Sequence, residues 1–129
     1  MSKHLEKAKQ LRSEEYHYNC AQAVLGSFSD VTGLTEEQAF KVALDFGGGI
    51  KHGDTCGSIC GGAMVMGFLG IDDHESIAKL HNVVADKNEG CYQCYKMCEM
   101  CVARGENKKA HCNDMVYTVV EFIDSLIEK

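Results

Sequence analysis

The sequence predicts an all-α fold: a single compact domain over residues 1–129, of about five to seven helices, with a Gly-rich loop before a small-residue helix. Three observations predict it. Apolar residues recur at helical spacing in several segments. Capping sequences stand in front of some of those segments. No stretch shows the period of two that a half-buried strand requires. The chain has no Pro, no Ser-rich linker and no repeat, so one domain is expected.

The elements follow in order. Residues 3–15 mix charges of both signs around Leu5, Ala8 and Leu11, as an exposed amphipathic helix does. Asn19 is placed to cap a second helix running through Ala21–Phe28. Thr35 and Gln38 fit a capping box, which opens a helix with Ala39, Phe40, Val42, Ala43 and Phe46 at helical spacing. Gly47-Gly48-Gly49 stops it. The segment from Cys56 to Phe68 could be a buried strand, but its length and small residues favour a helix packed closely on its neighbours. Gly inside a helix costs about 1 kcal/mol against Ala, so its glycines need a packing or site reason. Asp72 and Glu75 make a capping pair for a helix to about Lys87, and Asn88-Glu89-Gly90 breaks the chain after it. Met115, Val116, Val119, Val120, Ile123, Leu126 and Ile127 form the apolar stripe of a C-terminal helix.

Composition narrows the function. Lys+Arg 13 against Asp+Glu 19 gives a net charge of -6, which argues against a phosphate-backbone binder, so no nucleic acid is expected. No stretch approaches the roughly 18 apolar residues of a membrane span. The charged start Met1-Ser2-Lys3-His4-Leu5-Glu6-Lys7 reads as a cytoplasmic beginning rather than an export signal. The unusual number is 8 Cys. In a reducing compartment clustered Cys suggest metal or redox chemistry rather than a static disulfide network.

All eight thiols, Cys20, Cys56, Cys60, Cys91, Cys94, Cys98, Cys101 and Cys112, are candidate metal ligands. The sharpest local pattern is Cys91-x2-Cys94-x3-Cys98-x2-Cys101. On one helix these four project within an arc of about 80°, yet Cys91 and Cys101 sit about 15 Å apart along the axis. They cannot all grip one ion. Either the helix breaks, or the pairs join Cys20, Cys56, Cys60 or Cys112, and the arithmetic favours such a composite site. The spacing is not that of a bacterial ferredoxin, and no CxxC precedes His as c-type haem attachment would require. Cys56 stands at an expected helix N-terminus, where thiolate is favoured, with Cys60 one turn on. The Gly-rich loop before it lacks the Gly-Lys-Ser/Thr ending of a P-loop. His17, His52, His81 and His111 are further ligand candidates, His52 and His111 foremost because they lie nearest Cys56 and Cys112. Met64, Met66, Met97 and Met100 suit core packing better than ligation.

Taken across the chain, Asn19-Cys20-Ala21-Gln22-Ala23-Val24, Gly47-Gly48-Gly49-Ile50, Cys56-Gly57-Ser58-Ile59-Cys60-Gly61 and a late Cys112 heading the final helix resemble the CGCAxxGCC-motif family of redox-active proteins. The resemblance implies a mostly helical domain, four recurring cysteines and a redox or iron–sulfur role. Cys20, Cys56 and Cys112 align with three of them, and the fourth is Cys101 or Cys98. Ser58 replaces the Ala of the motif. Cys60, Cys91 and Cys94, with whichever of Cys98 and Cys101 is left over, have no counterpart in it.

Three functions are compatible with these residues. The first is an iron–sulfur protein passing electrons to a redox partner protein, its cluster held by cysteines from separate segments. The second is a dithiol–disulfide oxidoreductase or redox sensor exchanging at Cys91/Cys94 or Cys98/Cys101. The third is a zinc-stapled helical interaction domain. Close-packed glycine faces also make a homodimer a candidate assembly.

Overall fold

The computed structural model describes residues 2–13 and 15–128; Glu14, at the end of the first expected helix, lies outside them. Eight α-helices and one π-helical turn form the domain, slightly more than the sequence predicts, and the described residues contain no strand. They are α1 (Lys3–Leu11), α2 (Cys20–Ser27), α3 (Ser29–Thr32), α4 (Glu36–Ala43), the π turn (Gly49–Gly53), α5 (Gly57–Phe68), α6 (His74–Ala85), α7 (Cys94–Ala103) and α8 (Lys108–Ile127). The surplus comes from the single turn of α3 and from the π turn, both too short to show a periodicity.

Local chemistry sets the helix starts. Ser2, Asn19, Thr35, Asp73 and Asn107 each accept a hydrogen bond from a backbone N–H in the first turn. Asn19–Gln22 and Thr35–Gln38 are reciprocal capping boxes. The cap of α6 is Asp73, bonded to Ser76 N–H at 2.8 Å, rather than the expected Asp72. α4 ends at Ala43, before Phe46, because the Asn19 amide takes the carbonyl of Leu44 at 3.0 Å. Val42 lies outside the core. α5 and α7 have no side-chain cap. Both begin at the thiol site.

α2 is the hub, packing against α1, α4, α5 and α8, with Ala21 through Ser27 all buried. The twenty-residue α8 runs along α1, α2, α5, α6 and α7 and buries Met115, Val116, Val119, Val120 and Ile123. Leu126 is only partly covered and Ile127 is exposed. The glycines of α5 answer the question their helix cost raised. A Cβ on Gly61 would meet the Ala21 carbonyl oxygen at 2.8 Å, and one on Gly62 would meet Val119 at 2.7 Å. Gly61 and Gly62 are thus packed against α2 and α8 within the chain. At the other end, His4 is buried between Asp124 (2.6 Å) and Asp30 (2.9 Å) and stacks on Phe28, fastening α1 to α3 and α8. None of the described helices is long and apolar enough to cross a membrane.

Candidate functional site

Five thiols from four separate segments line one small cavity: Cys20, Cys56, Cys94, Cys98 and Cys112. Its volume is about 60 Å³, and Met97 and Met115 close its apolar wall. Pockets for organic ligands usually measure about 300 Å³ or more, so the space suits thiol chemistry or a small inorganic group.

Each thiol is placed by its own element. Cys20 opens α2 directly after the Asn19 cap. A Cβ on Gly47 would meet Asn19 at 2.4 Å, so glycine is needed where the chain passes that cap. Gly48 and Gly49 follow with φ of 63° and 67°, and the π turn carries the chain round to Asp54. There two loops run side by side. Asp54 O accepts from Cys94 N–H at 2.7 Å, Cys56 N–H donates to Tyr92 O at 2.9 Å, and Thr55 bridges Gln93 between them. That short antiparallel contact joins the starts of α5 and α7. Cys98 lies one turn further along α7, and Cys112 comes from the first turns of α8.

The electrostatics distinguish Cys20, Cys56, Cys94 and Cys112. Cys112 is lowered to about 6, because the Cys20 thiol donates a hydrogen bond to its sulfur and the Arg12 and Lys108 charges add to that. Cys20 moves the opposite way, kept protonated by the same bond and by burial. Cys94 is pushed up to about 12 by burial, with Cys98 beside it. Burial also raises Cys56, although N–H groups of Ser58 and Ile59 approach its sulfur. Desolvation there outweighs the helix N-terminus, so the thiolate expected at Cys56 belongs to Cys112 instead. The cavity thus sets a sulfur favoured as thiolate, Cys112, beside the thiols of Cys20, Cys56 and Cys94, which are held protonated.

The remaining predicted residues stand elsewhere. The Cys60 thiol points to the Thr55 carbonyl at 3.8 Å, and burial raises it. Buried Cys101 donates to Glu106 O at 3.4 Å, and Cys91 precedes α7 outside the cavity. Each CxxC pair is thus divided: Cys94 and Cys98 line the cavity, and their partners Cys91 and Cys101 do not. Of the two candidates for the fourth recurring cysteine, it is Cys98 that lines the cavity. His17 and His52 are exposed, His52 pairing with Asp54, and His81 bonds the Ile77 carbonyl. His111 does line the cavity. Its Nε2 and the hydroxyl of Ser58 are buried without a hydrogen-bond partner among the described residues. Arg12 belongs to no motif, and its part depends on residues far along the chain.

The donor set, all thiols with one histidine, has the softness that iron–sulfur ligation requires. Among the described residues no three Cys, His, Asp or Glu side chains stand together as the ligands of one metal ion.

Helices that hold several thiols in one apolar cavity, one of them ionised, define a cysteine-based redox protein. Residues 18–126 match the family described as "Putative redox-active protein (C_GCAxxG_C_C)", and the chain belongs to that family. No curated protein and no solved structure matches the chain.

Proposed function

We propose that the protein exchanges electrons through its thiols, with Cys112 as the attacking thiolate and Cys20 as the resolving thiol. One observation carries this: Cys20 and Cys112, from two different helices, line the same small cavity, and beside Cys20 the Cys112 sulfur is favoured as thiolate. The oxidant is a disulfide. The Cys112 thiolate attacks one of its sulfurs, the S–S bond breaks, and the other sulfur leaves as a thiolate. Cys20 then gives up its proton to that leaving thiolate and attacks the mixed disulfide at Cys112. The second thiolate departs, the Cys20–Cys112 bond is formed, and two electrons have passed to the substrate. In reverse, the same pair oxidises a dithiol.

A second reading is an iron–sulfur cluster in this cavity. Cys56, Cys94 and Cys98 favour it, because exchange at one pair does not need them, as do the two unpartnered polar atoms nearby. A single preparation under nitrogen separates the two. Iron, zinc, acid-labile sulfide and free thiols are counted per chain, and the protein is then equilibrated with glutathione redox buffers and its disulfides mapped. The dithiol reading expects little metal and a Cys20–Cys112 disulfide that Cys112→Ser abolishes. Iron with matching sulfide would replace it with the cluster, and zinc alone would indicate a structural staple.

A further inference from the structure

Arg12 lies just past the end of α1, and its guanidinium joins the segments that carry Cys20 and Cys112. Its Nε donates to Asn113 Oδ1 at 2.6 Å, and a terminal nitrogen donates to the Tyr18 carbonyl at 2.9 Å. Tyr18 stands two residues before Cys20, and Asn113 directly follows Cys112. One planar cation is thus bonded to the chain beside both residues, and no carboxylate lines the cavity that the two cysteines share.

We propose that Arg12 is the positioning residue of the redox pair: its two hydrogen bonds hold Cys20 against Cys112, and its fixed charge biases the couple toward the reduced form. The proposal rests on the dithiol reading. Its physical basis is the geometry of the fork, which a lysine ammonium cannot reproduce. The charge acts in the same direction on both sulfurs, favouring the ionised form of each. The other groups facing Cys112 are the Cys20 thiol from α2, Lys108 and His111 from its own helix, and the thiols of Cys56, Cys94 and Cys98. A stabilised thiolate raises the reduction potential of a dithiol couple, because it belongs to the reduced state alone.

The test uses the full chain with Arg12→Lys, which keeps the charge without the fork, and Arg12→Gln, which removes the charge and keeps a donor. The pH profile of Cys112 alkylation by iodoacetamide is followed by peptide mapping, with a thermal melt for each variant. In Arg12→Gln the midpoint of the profile should rise by about one pH unit, with Arg12→Lys between it and the parent. Against a glutathione buffer, the Gln variant should hold its disulfide about tenfold more firmly. A folded Gln variant with the parent's profile overturns the proposal, as does an equal loss of melting temperature in both variants with no change in profile. Should Arg12→Gln not fold, Asn113→Ala removes one of the two bonds and leaves the charge; parental alkylation and disulfide equilibrium in both it and Arg12→Lys also overturn it. Alkylation does not require a disulfide, so failure of Cys20–Cys112 to oxidise in the parent defeats the dithiol reading and is told apart from a null effect at Arg12.

Discussion

Cys112 is the residue on which the chemistry turns, and its neighbours explain why. A thiol gains acidity from a hydrogen bond to its thiolate and from nearby cations, and loses it through burial. For Cys112 the first two prevail, lowering it to about 6. Burial prevails at Cys56, Cys60 and Cys94, and the bond given to Cys112 adds to burial at Cys20. Brief treatment of the reduced protein with iodoacetamide at pH 7 should therefore label Cys112 well ahead of those four. Peptide mapping reads the order directly, and Cys20 or Cys94 labelled first would refute the assignment. Cys20→Ser leaves a hydroxyl as a different donor and should shift the Cys112 profile, whereas Cys60→Ser, outside the cavity, should leave it in place. None of this was legible in the sequence beyond the candidacy of the thiols. Thiol acidity depends on which groups face each other across the packed helices, and Arg12 reaches Asn113 only through the fold.

At the level of elements much more was legible, because helix starts are written in residues three apart. Asn19 and Thr35 cap where expected, and α8 buries the core of its expected stripe. Asp72 and Asp73 are chemically alike, and only the direction of the incoming chain decides that Asp73 faces the first turn. The glycines of α5 show how an element serves the site. A Cβ on Gly57 would stand 3.3 Å from Cys20 Cβ, so close packing of α5 on α2 brings Cys56 to Cys20. Gly61→Ala should gain about 1 kcal/mol in helix propensity. It should lose about 1–3 kcal/mol to overpacking, because its contact is the backbone oxygen of Ala21, which cannot easily move. Gly67, in the same helix, has nothing within 4 Å and is exposed, so Gly67→Ala should gain up to about 1 kcal/mol without loss. Urea melts of the two variants should move in opposite directions. A stabilised Gly61→Ala would mean that α5 and α2 are not packed this tightly.

Across the whole molecule, the site spans residues 20–112, and that separation limited what sequence could reveal. Helical geometry required a composite site, since Cys91 and Cys101 cannot share one ion on a straight helix. It could not say that α7 starts at Cys94, or that the Thr55–Gln93 bridge would bring Cys56 and Cys94 side by side. The same separation gives the redox state a hold on stability. A Cys20–Cys112 disulfide closes a loop of roughly 90 residues, for which the chain-entropy estimate is about 4–5 kcal/mol, or about 15–20 °C in melting temperature. The reduced protein has an opposing, pH-dependent gain. Cys112 is more acidic when folded than the ordinary thiol at 9.0, so ionisation favours the folded reduced chain. That stability is fully present above about 9 and is lost as pH falls through about 6. The oxidised chain has no such proton to lose, and the contribution of His111, lowered by burial, is common to both forms to first order. The oxidised protein should therefore melt higher than the reduced one, by a gap that is widest near pH 5.5 and narrows toward pH 8. Melts of both forms across that range, with Cys112→Ser as control, test it. A gap that ignores pH would remove the thiolate from the account, and no gap at all would mean that closing this disulfide strains the helices by as much as it restrains the unfolded chain.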